Sequence, residues 1–402
     1  MNRKTLIGLV IAAVVAIVAA ALINHASQPR SEVRSETPGW LLPSLRDHVN
    51  DVDKVTFSGA GDTVLATLER GEGGWTLVQK GGHAVDTGKL RTFLLKLADA
   101  REIEQKTANA AKYDVLGVED VSAPSAKGVM VELGGLGEPV RLIIGNAAPQ
   151  DDGTYVRRAD DAQSWLASGG LAPDRTPADW LRKDLADIPS ERIQSVALTP
   201  AKGDPVKAVR AAEGDAGLTL ADIPKGREAG SEYAINDLAS MLSGLGLDDV
   251  LPASEAEPPE DVIKARYATF DGIDVDVIAW RHEGRDYARF AASLDEERAE
   301  AHVAARQAKD KEAHEAASQH AAQAAEGDGD SGSAGEVAAP PPSVSDPAAD
   351  REAAMEKLRR EVAALDTRFN GWTFVIPAYK YANLDKKLED LLAPVEAKSS
   401  GK

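Results

Sequence analysis

The sequence predicts an α+β protein. An N-terminal transmembrane helix leads into two tandem, similar units of mainly antiparallel sheet with a packed helix, and the second unit carries an Ala-rich helical insertion. Three observations predict this. Residues 6–23, LIGLVIAAVVAIVAAALI, hold no charge over a length that crosses a bilayer core. Short stretches of alternating apolar residues recur between Gly-containing turns, the pattern of half-buried strands. One order of strand and helix patterns then occurs twice. The expected boundaries are 1–27 for the cytoplasmic tip and anchor, 28–39 for a linker and 40–185 for the first unit. The second unit spans 186–292 and is completed by 369–395; the insertion occupies 293–368 and the tail 396–402.

The run at 6–23 has no polar stripe, which argues against a buried core helix. It is longer than a signal-peptide h-region and leaves through Leu22, Ile23, Asn24 and His25, with no Ala-x-Ala site. An uncleaved single-pass anchor fits best. Arg3 and Lys4 before it keep the N-terminus cytoplasmic and send the rest outside. The expected location is therefore the bacterial inner membrane, with the bulk of the chain extracytoplasmic.

In the first unit, Val52, Val55 and Phe57 lead into a strand at Thr63–Leu68. Gly71–Gly74 forms a turn, and Trp75–Val78 the next strand. Asp86 is placed to N-cap a helix whose apolar face is Leu90, Phe93, Leu94 and Leu97. Strands follow at Gly128–Leu133, Val140–Ile144 and Thr154–Arg158, with one more at Trp165-Leu166. Pro173–Leu185 reads as a connector with a short helix.

The second unit repeats the order. Ile193, Val196 and Leu198 match Val52, Val55 and Phe57; Leu218-Thr219-Leu220 matches Trp75-Thr76-Leu77. Leu238, Met241, Leu242 and Leu245 restate the helix face. Strands at Ala265–Phe270 and Ile273–Trp280 are joined by Asp271-Gly272, a two-residue hairpin signal. Tyr287–Ala291 and Gly371–Val375 complete the set.

Between them, Ser293–Glu326 is rich in helix formers. Residues 327–349 are Gly/Ser/Ala/Pro-rich and expected to be disordered. Met355, Leu358, Val362, Leu365 and Phe369 step by three and four, a coiled-coil seam. Two arrangements fit equally: a projecting hairpin in which Ala301, Ala305 and Ala308 face the seam, or a helix docked on the parent sheet. Self-association or partner binding through the 351–369 helix is a third.

With 65 acidic and 46 basic residues the net charge is −19, which disfavours binding to a phosphate backbone, so no nucleic-acid partner is expected. The absence of cysteine excludes thiol catalysis and thiolate zinc sites. Chemistry-bearing candidates are weak throughout. Gly329-Asp330-Ser331-Gly332 resembles a serine-protease nucleophile motif, but a low-complexity linker supplies no rigid oxyanion hole. His302, His314 and His320 lack the i, i+4 spacing of a metal pair. His83, expected in a turn, and His282, at a strand end, each stand alone in the pattern. The acidic loop of Glu255, Glu257, Glu260 and Asp261 has no EF-hand glycine and reads as a solvated connector. Trp75 and Trp372 could be ligand platforms, but alternating strands favour the core for them; a glycan would need an exposed aromatic row, and burial of Trp75, Trp165, Trp280 and Trp372 would count against it. No catalytic, cofactor or metal residue is assigned.

Taken in order, Leu42-Pro43-Ser44-Leu45 before Asn50-Asp51-Val52, Gly74-Trp75-Thr76-Leu77, the Leu90–Leu97 helix, Tyr113 with Leu116-Gly117, Leu142-Ile143-Ile144-Gly145 and Thr154-Tyr155-Val156-Arg157 resemble the bacterial family called domain of unknown function 4340. The resemblance covers Trp40 to Leu185 and, more faintly, the second unit; the insertion is not part of it. It implies no assigned activity. It does imply a membrane-anchored envelope protein, of a kind often encoded beside ABC-2-type exporter components and gliding-motility-like auxiliary subunits. The expected function is thus a non-enzymatic accessory or scaffold protein associated with an ABC-type transporter. The alternatives are an envelope-polymer (glycan or peptidoglycan) binding module and a periplasmic hydrolase.

Overall fold

The computed structural model describes residues 39–149, 152–327 and 346–394. The apolar run at 6–23, the Asp330-Ser331 motif and most of the 327–349 linker lie outside those residues. Among the described residues, no helix is long and apolar enough to cross a membrane.

The chain opens with α1 (Pro43–His48), whose Leu45 is fully buried. Then come β1 (Lys54–Gly59), β2 (Thr63–Gly71), β3 (Gly74–Leu77) and β4 (His83–Ala84). Helix α2 (Thr87–Asp99) starts where expected: Asp86 Oδ1 accepts the Lys89 N–H at 2.9 Å. Its Leu90, Phe93, Leu94 and Leu97 are buried, as the spacing requires. After β5 (Glu102–Gln105) and α3 (Tyr113–Leu116) come β6 (Val129–Gly134), β7 (Val140–Ala147), β8 (Gly153–Arg158) and β9 (Ser164–Ser168). These strands form one antiparallel sheet in the order β4-β3-β2-β1-β6-β7-β8-β9-β5.

The second sheet is built from β11 (Ile193–Thr199), β12 (Val206–Val209), β13 (Thr219–Leu220), β15 (Asp249–Pro252), β16 (Ile263–Thr269), β17 (Ile273–His282), β18 (Arg285–Leu294) and β19 (Trp372–Val375). Its order is β13-β12-β11-β16-β17-β18-β19-β15. A separate pair, β10 (Asp184–Ala186) with β14 (Leu245–Gly246), joins the connector to this half. Mixed helix and antiparallel sheet make the protein α+β.

Three local expectations are corrected. The helix expected through Leu245 ends earlier: α4 (Glu232–Asn236) passes into a 3₁₀ turn at Asp237–Leu242, and Gly244 at φ +53° redirects the chain so that Leu245 enters β14. The β16–β17 connection has three residues rather than two. Gly272 N–H closes it on Thr269 O at 3.4 Å, and Gly272 takes the left-handed conformation. Finally, His83 lies in β4 and is buried rather than in a turn.

The insertion forms α5 (Glu296–Gly327) and α6 (Pro347–Phe369), the latter N-capped by Asp346. Helix α6 docks on its parent sheet. Met355, Leu358, Leu365 and Phe369 are buried, Val362 is half-buried, and the Phe369 ring lies 5.2 Å from Phe290 of β18. Large apolar side chains need a broad apolar face, which the sheet provides and an alanine helix does not. Accordingly Ala301, Ala305 and Ala308 are exposed, while Ala299 and Val303 form the buried foot of α5. The seam residues are thus covered within the chain.

The sheets meet end to end. Lys80 follows β3 and pairs with Asp249 of β15 at 2.5 Å. A Cβ on Gly81 would stand 2.6 Å from Pro252 Cγ. The His83 ring is edge-on to Trp372 at 4.9 Å. Trp180, in the connector, is buried beneath α2 and stacks on Phe57 at 4.8 Å. The main apolar core is continuous through both sheets.

Candidate functional site

Helix α2 presents Arg91, Thr92, Leu95, Lys96 and Asp99 outward, because those positions fall opposite its buried stripe. Leu95 is 39% exposed. A cleft of about 790 Å³ on one side is also lined by Asp152, Ser168, Gly169 and Gly170, from the ends of β8 and β9. On the other side a groove of about 330 Å³ runs between α2 and the β2–β3 hairpin. Trp75 and Leu94 form its apolar wall. Arg70 lies over the Trp75 ring at 5.8 Å and donates to Asn50 O at 2.9 Å; Arg91 stands at the mouth. Leu95 thus stands between Arg91 and Lys96 with a depression on each side, the larger of which also carries Asp99 and Asp152.

Arg157, Arg210, Lys380 and the half-buried Arg192 are engaged in building the fold. Arg157 is 4% exposed; it donates to Val118 O at 2.9 Å and to Asp120 Oδ1 at 2.5 Å. Arg210 gathers the carbonyls of Ser190, Glu191 and Ile193 at 2.8, 2.8 and 3.0 Å. Lys380, on α7 (Ala378–Leu384), donates to the carbonyls of Ser240 (2.8 Å) and Ser243, and burial draws its pKa down. Arg192 binds Glu361 of α6 with both terminal nitrogens (2.5 and 3.0 Å) and donates to Asp271 Oδ2 from Nε at 2.8 Å. Burial alone would push Asp271 up, but hydrogen bonds from Arg192 and Thr269 outweigh it and hold the carboxyl below its ordinary range. Tyr267 is fully buried, its hydroxyl has no partner among the described residues, and burial pushes its pKa up.

The residues singled out in the sequence do not converge. His302 meets Glu213 at 3.2 Å, while His282 lies 3.9 Å from Glu283 at the exposed end of β17. His314 lines a separate depression of about 490 Å³ beside Gln307, Lys311 and Pro347. His83 is held between Trp372 and Phe374, and burial lowers its pKa. In the acidic loop, Asp261 faces Lys202 at 3.9 Å. Among the described residues, no cluster of three or more His, Cys, Asp or Glu is arranged for a metal. Trp280 is buried and stacks on Tyr287 at 5.6 Å, while Trp75, Trp165 and Trp372 are half-buried against the core. They form no exposed row. The Arg192 cluster escaped sequence reading because its carboxylates lie 79 and 169 residues away. Trp40, clamped between Arg46 (4.1 Å) and Arg101 (3.7 Å), carried no sequence signal beyond its position at the start of the folded region.

Residues 75–263 match the family model described as "Domain of unknown function (DUF4340)". Over that span the chain is similar to DUF4340. The matched span opens on Trp75 in the first sheet, takes in α2 and the cleft between it and the ends of β8 and β9, crosses the connector and stops at the first residue of β16; Val49, Asn50, Val52 and Arg70 of the other groove precede it. Leu42–Val52, which contributes to the resemblance, precedes it, and the insertion follows it. No curated protein and no solved structure matches the chain.

Proposed function

We propose that this DUF4340 protein is an extracytoplasmic accessory or scaffold subunit, tethered in the bacterial inner membrane by residues 6–23 and working beside an ABC-type (ABC-2-like) transporter without catalysis of its own. The observation that carries the reading is the use of buried and half-buried charge. Arg157, Arg192, Arg210 and Lys380 are each engaged with backbone carbonyls or paired carboxylates that join segments. A scaffold needs such ties, whereas an active site needs polar groups converging on a cleft. The groove between α2 and the β2–β3 hairpin, with Arg70 and Arg91, offers shape and basic charge for a protein partner, and the uncharged run at 6–23 supplies the tether.

Within this reading the sheets are two copies of one unit. The strand orders support duplication: from β3 to β5 and from β13 to β15 they follow one scheme. A second support is local. Val85 bridges Leu181, Asp86 N–H donates to Trp180 O (2.9 Å) and Arg182 N–H to Ala84 O (3.0 Å). At the other end Ala229 bridges Leu392, Gly230 N–H donates to Leu391 O (2.8 Å) and Ala393 N–H to Glu228 O (2.9 Å). In each half, a leucine-containing closing segment is tied to the chain just before the helix.

Affinity capture of the full chain from membranes in mild detergent, with in-membrane crosslinking and mass spectrometry, tests the functional reading. Recovery of a permease or auxiliary transporter subunit is expected; reproducible recovery with no transporter component would sink it.

A further inference from the structure

Two equivalent places in the chain are finished differently. In the duplication reading above, on which this inference rests, β8 and β9 are the counterparts of β18 and β19. One hydrogen bond sets the same register in both: Gly169 N–H donates to Asp152 O at 2.8 Å, and Ile376 N–H donates to Asp286 O at 2.9 Å. From there each half runs to its closing leucine, Leu181 or Leu392. The second path is longer by about one helical turn and contains α7. The first passes through Gly169 and Gly170 and forms no α-helix.

In the second half, α7 packs on the 3₁₀ turn at Asp237–Leu242. Lys380 donates to Ser240 O and Ser243 O, Asn383 Nδ2 donates to Ser240 Oγ at 3.0 Å, and Tyr381 and Leu384 are buried. The spacing that matches Leu238, Met241 and Leu242 to Leu90, Phe93 and Leu94 also matches Ser240 and Ser243 to Thr92 and Leu95. Thr92 and Leu95 line the cleft of about 790 Å³ beside α2, with Asp152, Gly169 and Gly170 across it. What α7 covers in the second half is thus an open cleft in the first. Apart from chain neighbours, a Cβ on Gly169 or Gly170 would meet no atom within 4 Å, and Leu95 is 39% exposed.

Charge points to the chemistry of the occupant. Asp237 and Asp187 act on Lys380 of α7. The cleft offers Asp99 and Asp152 against Lys96, and none of the three stands in an ion pair among the described residues. The carbonyls of Thr92 and Leu95 lie inside the hydrogen-bond ladder of α2, so a cation entering there meets the two carboxylates instead.

We propose that the cleft between α2 and the ends of β8 and β9 receives a short amphipathic helix of a partner protein. That helix carries a lysine or arginine next to an aromatic residue, with a leucine three positions further on, as Lys380, Tyr381 and Leu384 do in α7. A partner is the favoured occupant for two reasons. The described helices with this pattern, α7 and α3 with Lys112, Tyr113 and Leu116, are both already packed within the fold. The acidic excess in the cleft also calls for a cation that its lining does not hold.

The probe is a fluorescein-labelled peptide of residues 376–387, added to the detergent-solubilised full chain and followed by anisotropy. Saturable binding is expected. Leu95→Glu should weaken it at least about tenfold, while Val115→Glu, outside the cleft, should leave it unchanged. Asp99→Lys with Asp152→Lys should weaken it about three- to fivefold and should restore binding of a Lys380→Glu peptide. No binding, or binding that Leu95→Glu leaves unchanged, overturns the proposal. A full-length variant in which 376–387 replaces 169–176 tests the duplication reading separately. If it folds and no longer takes up the peptide, both stand; if it folds and still binds, the proposal falls. If it does not fold, the equivalence of the two halves is removed, and the Leu95 result alone decides the cleft. In native membranes, Leu95→benzoylphenylalanine should photocrosslink to another polypeptide in a manner that the peptide competes. No competed link, or a link confined to its own chain, overturns the proposal.

Discussion

Replacing Arg192 by methionine should weaken the hold of the helical insertion on the second sheet. The guanidinium holds three segments at once: its own turn, the β16–β17 connection through Asp271, and α6 through Glu361. Methionine keeps the aliphatic bulk and leaves two carboxylates facing each other without their cation. Removing one partner of a fully buried pair costs roughly 3–5 kcal/mol. Here the side chains remain 24%, 17% and 32% exposed, so water recovers part of that loss. A cost of about 2–4 kcal/mol follows, while Glu361→Gln, which keeps a hydrogen-bond acceptor, should cost about 1 kcal/mol. The pH dependence has a definite sign. Asp271 is held below its ordinary value of 3.8, so its contribution is complete above that pH and is lost as pH falls through the lower folded-state value. Urea unfolding of the detergent-solubilised protein, followed by tryptophan fluorescence at pH 7 and between pH 4 and 2.5, reads both effects. A loss below about 0.5 kcal/mol in Arg192→Met would mean that the cluster behaves as a solvated surface pair and would refute the reasoning.

Four further outcomes are expected. Tyr267→Phe should leave stability unchanged or raise it by up to about 1 kcal/mol, because it deletes a buried hydroxyl without a partner; a loss above about 1 kcal/mol in urea unfolding contradicts this. Lys380→Met strips the carbonyls of Ser240 and Ser243 of their donor and should lower stability by about 1–3 kcal/mol at unchanged m-value. Gly272→Ala should cost roughly 1–3 kcal/mol: Gly272 sits at φ +92°, and a Cβ would stand 2.7 Å from Asp295 O. Burial lowers the pKa of His83, helped by nearby Arg182, so the unfolded chain takes up the proton first. Stability should therefore fall as pH drops below the ordinary value of 6.5, by at most about 1.4 kcal/mol per pH unit. His83→Phe should flatten that slope, and an unchanged slope in the variant would assign it to other groups.

Local pattern carried the structure wherever one face is buried and the other is wet. The stripe of Leu90, Phe93, Leu94 and Leu97 with Asp86 before it located α2 to the residue. β5 escaped because Glu102-Ile103-Glu104-Gln105 is a polar edge strand, identified by its pairing with β9 rather than by any alternation of its own. The helix through Leu245 was overextended because four apolar residues kept helical spacing across Gly244, and pairing with β10 claimed the last of them. For the insertion, spacing identified the seam of α6 but not what covers it, since a sheet face and a second helix both accept leucine at every third or fourth residue. The candidate surface was half legible. Trp75 and the α2 stripe stand out in the sequence, whereas Arg70, Arg91 and Asp152 acquire meaning only once two hairpins and a helix are brought side by side.

The central claim, a sheet-built scaffold held outside the cytoplasm by its N-terminal segment, is tested most directly by topology labelling. Val115 is 71% exposed, so Val115→Cys provides a single reporter thiol in the cysteine-free chain. Cells with a permeabilised outer membrane and an intact inner membrane are treated with a membrane-impermeant maleimide, and their membranes are then washed at alkaline pH. Labelled protein that stays with the membrane pellet is the predicted result. Protein that is labelled only after inner-membrane lysis, or that leaves the pellet in the alkaline wash, would contradict the account.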